Sequence, residues 1–225
     1  MAALVKTFIG GFAKAFALIG EKTVLIDCGP KDGRKTVENA LAKIGVSPSD
    51  VSLIVITHGH SDHVAPLAAL KELTGAPVLC HEKAAAALRE GWGEAIVPRT
   101  APARFIVRLS PGNSEKNRRP IETDIAVSEE TDLSPFGINA KIIPTPGHTA
   151  GSLSVLTAEG DAFIGDLIMH LIPGRPDLPL LATDVEAVKA SLRKLLDLGA
   201  RRFHMAHGRA VGRTGIERIL EGASS

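Results

Sequence analysis

Tyrosine is absent from this chain of 225 residues, and aromatic residues of all kinds make up only 4% of it. Two cysteines, Cys28 and Cys80, are too few for a disulfide framework, although they could pair with each other. A reduced, cytoplasmic setting is therefore the simpler expectation. No apolar run reaches the length of about eighteen residues that a membrane-spanning helix needs, so we expect no membrane span.

A strong excess of one charge is also missing, because the net charge is +1. Proteins that bind a nucleic-acid duplex usually carry a marked basic excess, so we expect no nucleic-acid partner. One stretch departs from this balance, with six basic residues and few acids: Arg99, Arg104, Arg108, Lys116, Arg118 and Arg119. A solvated loop is the interpretation that we favour for it, and a basic rim that attracts anionic substrates is the alternative.

The first twenty or so residues are mostly apolar, and Ala13-Lys14-Ala15 is similar to the cleavage site of a signal peptide. However, Lys14 interrupts the apolar run. The segments 16–19 and 23–26 flank a short polar turn, which indicates two strands rather than a signal peptide.

Short apolar strands and amphipathic helices alternate along the rest of the chain. The run from Val51 to Ile56, which is apolar except for Ser52, is typical of a strand buried on both faces. The pattern predicts further strands at 77–80, 138–143, 153–156, 162–164 and 202–205, and helices at 35–44, 64–73, 82–89, 185–198 and 215–220. Residues 91–135 are predicted to be a long irregular excursion of the kind that often forms a functional lid, and 172–179 a proline-rich loop. This order predicts two sheets covered by helices on their outer faces, an α/β sandwich.

A dense cluster of ligand-type side chains follows the strand at 51–56, in the run His58-Gly59-His60-Ser61-Asp62-His63. Imidazole and carboxylate groups suit zinc, iron and manganese. In an extended segment, residues i and i+2 point the same way, so His58 and His60 can share one metal ion. Asp62 and His63 then lie where the chain turns into a helix and can reach a second ion. The alternative is a solvated turn whose histidines cap that helix.

This run resembles the HxHxDH signature of the metallo-β-lactamase superfamily. Four other segments resemble motifs of that family in the same order: Asp27-Cys28-Gly29, Pro146-Gly147-His148-Thr149, Gly165-Asp166 and Ala206-His207-Gly208. The resemblance implies an αββα four-layer sandwich, with residues 1–225 as a single domain. It also implies two divalent metal ions, with Zn²⁺ as the first expectation and Fe or Mn as alternatives.

The resemblance further assigns roles to individual residues. The first metal ion would take His58, His60 and His148, and the second would take Asp62, His63 and His207, with Asp166 as a bridge. Asp62 would also have a catalytic role, by orienting the nucleophile or passing on a proton. Asp27 would orient the ligand loops, although a simple turn carboxylate is an equal alternative.

The chain departs from the family pattern in several places. Val64-Ala65-Pro66 stands where the family often has two glycines after HxHxDH, and Ala206 replaces the first glycine of the last motif. His204 is an alternative ligand to His207. We prefer His207 because it opens the loop after a strand. His81 is predicted to start a helix. His170 is either a substrate contact or a surface histidine.

The resemblance implies a hydrolase in which a metal-bridging hydroxide attacks a small-molecule ester, thioester or related acyl substrate. Lactone-cleaving relatives commonly use an active-site tyrosine, which this chain lacks. The chain after Asp166 is also too short for the helical region with which glyoxalase II proteins bind glutathione. A phosphodiesterase of the same fold, a mononuclear-iron persulfide dioxygenase and a non-catalytic metal-binding protein are the alternatives.

Overall fold

The first sheet comes from the N-terminal half of the chain. The computed structural model describes residues 2–9, 12–30, 33–91, 94–109, 120–172 and 175–222. The strands of this sheet are β1 (Leu4–Ile9), β2 (Ala15–Ile19), β3 (Thr23–Ile26), β4 (Val51–Val55), β5 (Val78–His81) and β6 (Ile125–Val127). They lie side by side in the order β1-β2-β3-β4-β5-β6. The first three are antiparallel neighbours, and the pairings from β3 to β6 are parallel.

The second sheet and a separate two-stranded hairpin come from the rest of the chain. Their strands are β7 (Thr131–Asp132), β8 (Ala140–Pro144), β9 (Leu153–Thr157), β10 (Asp161–Phe163), β11 (Met169–Ile172), β12 (Arg175–Asp177), β13 (Arg202–His204) and β14 (Val211–Gly212). The sheet has the order β14-β13-β10-β9-β8-β7, and β11 pairs with β12. The β10 and β13 strands are parallel, so both deliver their C-terminal ends to the same edge.

Helices cover the outer face of each sheet. The helices of the described residues are α1 (Arg34–Ile44), α2 (Ser61–Val64), α3 (Leu67–Thr74), α4 (Glu82–Glu90), α5 (Ala101–Leu109), α6 (Val185–Asp197) and α7 (Arg213–Leu220). Buried side chains of α1, α3 and α4 pack on the first sheet, and those of α6 and α7 pack on the second. None of the helices in the described part of the chain is long and apolar enough to cross a membrane.

A third cluster of buried side chains lies between the two sheets. Alternate residues of each strand point to opposite faces, so β4 contributes Leu53 and Val55 to this central cluster and Ile54 to the helix-covered face. This explains why residues 53–55 are all apolar. The layers are therefore helix, sheet, sheet and helix, which confirms the predicted αββα sandwich.

Several predicted elements need correction. The helix predicted at 64–73 is observed as α3 (Leu67–Thr74), and the short helix α2 ends at Val64 before it, because Pro66 cannot donate a backbone hydrogen bond. The excursion at 91–135 contains α5, β6 and β7, and the proline-rich loop at 172–179 contains β12. The predicted strands at 16–19 and 23–26 are confirmed as β2 and β3.

Candidate metal centre

The predicted ligands follow the ends of strands, five of them in loops and two, Asp62 and His63, in the short helix α2. These ligands are His58, His60, Asp62, His63, His148, Asp166 and His207. Four of them belong to the segment that follows β4, and the other three follow β8, β10 and β13. All except Asp62 are buried, whereas the Asp62 side chain is 28% exposed. The structure therefore brings every predicted ligand to one edge of the paired sheets.

Three imidazole nitrogens converge within this group. His58 Nε2 lies 3.1 Å from His60 Nδ1 and 3.2 Å from His148 Nε2, and the last two atoms are 3.1 Å apart. Ligand atoms about 2.0–2.1 Å from a tetrahedral zinc ion would be separated by roughly 3.3 Å. The triangle of nitrogens therefore has the dimensions of one side of a metal site.

The other ring nitrogens of His58 and His148 are occupied elsewhere. The Thr57 hydroxyl donates to Asp27, so it accepts from His58 Nδ1 at 3.1 Å. His148 Nδ1 donates to the backbone oxygen of Leu181 at 2.6 Å. Both rings therefore direct an unprotonated Nε2 into the cluster, where such nitrogens cannot hydrogen-bond to one another. A cation would satisfy them, and outer hydrogen bonds of this kind are typical of metal-binding histidines.

A second group lies beside the first and consists of Asp62, His63 and His207. His207 Nε2 is 3.2 Å from Asp62 Oδ2, and His63 Nε2 is 3.9 Å from the same oxygen. The opposite nitrogen of His207 donates to the backbone oxygen of Phe12 at 2.8 Å. The loop between β1 and β2 therefore fixes the orientation of the His207 ring.

The Asp166 carboxylate lies between the two groups. Its Oδ1 is 3.5 Å from His63 Nε2, and its Oδ2 is 3.3 Å from His207 Nε2 and 3.7 Å from His148 Nε2. Gly165, which precedes it, has a φ of 51°, and a Cβ there would lie 2.7 Å from Thr57 Oγ1. A glycine is required at this turn to bring Asp166 into contact with both groups.

Asp27 contacts two of the segments that position the ligands. It has a φ of 59°, a left-handed conformation that aspartate tolerates better than most residues. Its carboxylate accepts hydrogen bonds from the backbone and hydroxyl of Thr57 and from His63 Nδ1, the last at 2.8 Å. It thereby joins the strand end that carries His58 to the ring of His63.

Unpaired polar atoms test whether these residues fit a metal. Three buried side-chain atoms within the described part of the cluster have no hydrogen-bond partner, namely His60 Nε2, His63 Nε2 and Asp166 Oδ1. A buried polar atom without a partner is costly. His63 Nε2 and Asp166 Oδ1 face each other across the region between the two groups, so the donor set fits bound cations.

The electrostatics of the two groups differ. Burial lowers the pKa of His58 well below its usual range and that of His148 to about 4, so both rings are neutral. Burial also lowers the pKa of His207, but the carboxylates of Asp166 and Asp62 outweigh it and raise that pKa to about 10. The three-histidine group is thus an all-imidazole, neutral donor set, whereas the second group contains the Asp62 carboxylate and contacts that of Asp166.

The remaining histidines lie outside these groups. His204 pairs with Asp161 at 2.7 Å and stacks on Phe163, so His207 rather than His204 faces the cluster. His81 caps the N-terminus of α4, as predicted. His170 contacts the loop after His207, through its backbone N–H to His207 O at 2.8 Å and its ring to Arg209 O at 3.1 Å. Its role as a substrate contact stays a prediction.

Residues 94–99 of the predicted excursion contact loops of the site. Glu94 contacts the loop that carries His58 and His60 and the loop that carries His148. Val97 and Arg99 pair with the segment before α6. Sequence analysis missed Glu94, because a carboxylate in an irregular segment has no spacing that marks it. Of the basic stretch, Arg104 and Arg108 lie on α5 and are exposed, whereas Lys116, Arg118 and Arg119 lie outside the described residues.

The chain belongs to the metallo-β-lactamase superfamily, whose family model matches residues 10–207. It is 32% identical to a probable metallo-hydrolase of Methanocaldococcus jannaschii, over 76% of this chain and 74% of that protein. It is 29% identical to a hydroxyacylglutathione hydrolase of a Chelativorans species, over 78% of this chain but only 53% of that protein.

A solved structure supports the same assignment. The protein designated TTHA1623, crystallised in a di-iron-bound form, superposes with a TM-score of 0.67 at 28% identity, over 96% of this chain and 98% of that one. The predicted family and fold are therefore confirmed.

Proposed function

We propose that this protein is a binuclear metal-dependent hydrolase. One ion would be held by His58, His60 and His148, a second by Asp62, His63 and His207, and Asp166 would bridge them. The observation that carries the proposal is the convergence of three imidazole nitrogens within 3.1–3.2 Å, two of them fixed as bare acceptors by outer hydrogen bonds. The di-iron form of the relative described above supports the number of ions.

Two divalent ions bound there would polarise a substrate oxygen and lower the pKa of water, with Zn²⁺ as the first expectation and iron or manganese as alternatives. Asp62 is the most exposed of the seven side chains, and its Oδ2 lies 3.2 Å from His207 Nε2. It is therefore the residue that we assign to orienting the attacking water and accepting its proton. Asp166 is buried and in contact with both groups, so its role is to hold them at a fixed separation.

The substrate class that we propose is a small ester, thioester or related acyl compound. The likeness to a hydroxyacylglutathione hydrolase supports an acyl substrate, although the chain covers only 53% of that protein. Cys28 and Cys80 are both free and buried. Free thiols are usual in a reducing compartment, and on this ground we propose the cytoplasm as the location.

The test combines metal analysis with a hydrolysis screen. Two metal ions per chain and turnover of a thioester or ester, in preference to a phosphodiester, are the expected results. His148→Gln should remove turnover and His204→Gln should retain it, because only His148 faces the cluster while His204 pairs with Asp161. A chain that binds no metal would contradict the proposal, and one iron with oxygen uptake would favour the dioxygenase instead.

A further inference from the structure

One carboxylate joins the two loops that carry the three-histidine group. Glu94 Oε2 accepts the backbone N–H of Gly59 at 2.8 Å, and Oε1 accepts the backbone N–H of Gly151 at 2.8 Å. Gly59 lies between His58 and His60, and Gly151 lies in the turn that follows His148. Both oxygens of a single side chain are thus used to connect parts of the chain that are distant in sequence.

Both contacts are of the stronger kind. An ionised carboxylate that accepts from backbone N–H groups forms charge-assisted hydrogen bonds, which are shorter and stronger than neutral ones. Two such bonds from one planar group also fix the angle between the loops. The two hydrogen bonds from Glu94 to Gly59 and Gly151, which we call the clamp, therefore restrict how far His148 can move away from His58 and His60.

The local sequence permits this close approach. A Cβ at Gly151 would lie 2.6 Å from Glu94 Oε1 and 2.7 Å from the backbone nitrogen of Ala84. At Gly59 the nearest atoms of Glu94 would be 3.4 Å away, an ordinary contact. A glycine is therefore needed at 151 in particular for the carboxylate to reach the backbone.

The residues after Glu94 hold the His148 loop from its other side. Ala182 N donates to Val97 O at 2.9 Å, and Arg99 N donates to Leu180 O at 3.0 Å. Between these two pairings lies Leu181, whose backbone oxygen accepts from the His148 ring. The segment 94–99, which we call the brace, therefore contacts the His148 loop directly through Glu94 and indirectly through Leu181.

We propose that Glu94 is a positioning residue for the metal ion held by His58, His60 and His148. The inference rests on the proposed function, and it adds a residue that binds neither ion. Loss of the clamp should weaken one ion and spare the other, because Asp62, His63 and His207 have no contact with Glu94 in the described hydrogen bonds. Outer hydrogen-bond partners of metal ligands typically change metal affinity by about 10–100-fold.

The test compares Glu94→Gln with Glu122→Gln. The glutamine keeps one acceptor oxygen and turns an amide donor toward the second backbone N–H. Glu122 is a control from the same part of the chain, where its exposed side chain pairs with Arg89. Zinc titration against a chromophoric chelator should show one of two ions weakened about 10–100-fold in Glu94→Gln. The other ion, and both ions of Glu122→Gln, should keep the affinity of the unmodified chain.

Amide hydrogen exchange in the metal-free protein gives a second readout that does not need zinc. The amides of Gly59 and Gly151 should exchange faster in Glu94→Gln than in the unmodified chain and in Glu122→Gln. Glu94→Ala, which removes both acceptors without adding a donor, serves if the glutamine variant does not fold.

The outcomes separate the two proposals. Unchanged exchange at both glycines would overturn the clamp. Faster exchange with equal affinity loss at both ions, or with none, would overturn the positioning role. An unmodified chain that binds no zinc, iron or manganese would overturn the proposed function itself, whatever the exchange of the two amides shows.

Discussion

Asp27 holds a backbone conformation that most residues avoid, and its carboxylate contacts three groups from that position. It accepts from the Thr57 backbone, the Thr57 hydroxyl and His63 Nδ1. In Asp27→Asn one oxygen becomes an NH₂ group, so a donor must face either Thr57 or His63. We expect metal affinity to fall about 10–100-fold, because either the His63 ring loses the acceptor that fixes its tautomer or the Thr57 N–H beside His58 loses its acceptor.

Asp161→Asn is the matched control for this change. Asp161 also pairs with a histidine ring, that of His204 at 2.7 Å, but outside the cluster. Metal titration of both variants is the measurement. An equal loss of affinity in the two variants would show that the effect is one of general stability and not of His63.

At this scale the sequence was informative where chemistry and spacing coincide. Four ligand-type side chains between His58 and His63 predicted the metal site, because so dense a cluster of them rarely occurs by chance. His207 was distinguished from His204 by its place after a strand. Glu94 and Thr57 were not predicted, because each acts through hydrogen bonds to residues that only the folded chain brings close.

At the scale of elements, α6 is tied to the site through its N-terminus. The Asp184 side chain accepts from Ala187 N at 3.0 Å and caps the helix, while its backbone nitrogen donates to Gly147 O. Loss of an N-cap typically costs about 1 kcal/mol. Asp184→Ala should therefore lower Tm by roughly 2–4 °C in a chain of this length.

The other end of the same helix offers the control. Asp197 is exposed in the last turn, where a carboxylate opposes the helix dipole. Asp197→Ala should leave Tm unchanged or raise it slightly, as measured by calorimetry beside Asp184→Ala. A similar fall in both variants would mean that the side chain of Asp184 does not act as a cap.

Element boundaries were predicted within a few residues where apolar periodicity is regular, as for α1, β4, α4 and α6. Prediction of secondary structure failed where it depends on contacts with residues that are distant in sequence. The α5 helix lies in a segment whose prolines and charges suggested a loop, and β12 pairs with β11 despite Pro176. Pro66 delays the start of the helix predicted at 64–73 and separates it from α2, because it lacks the N–H group that a continuous helix needs.

At the scale of the whole molecule, the reactivity of the two cysteine thiols shows whether the core that contains them is packed. Cys28 and Cys80 belong to the cluster between the first sheet and its helices. Burial raises the pKa of Cys28 well above its usual range, with a further contribution from Asp27, and burial raises the pKa of Cys80 to about 11. At pH 8 both groups are therefore protonated as well as inaccessible.

We expect neither thiol to react with a disulfide reagent in the native protein at pH 8, and both to react in guanidinium chloride. The sign follows from the pKa shifts, since the reactive thiolate is populated only as pH approaches the raised pKa. Counting reacted thiols against time, with and without denaturant, is the measurement. One rapidly reacting thiol under native conditions would contradict the packing of this core.

Removal of metal should lower the stability of the molecule without unfolding it. The three apolar clusters contain none of the proposed ligands, so the sandwich can persist without ions. An ion at a free concentration of one hundred times its Kd adds about 2.7 kcal/mol, which corresponds to roughly 5–10 °C in Tm for a chain of this length. Chelation should therefore lower Tm by that amount for each ion and leave the far-ultraviolet circular dichroism spectrum unchanged.

Asp166→Ala should show a smaller fall on chelation than the unmodified chain, because it has lost the carboxylate between the two groups. Equal falls in the two proteins would contradict the bridging role of Asp166, and unfolding on chelation would show that the fold itself depends on the ions.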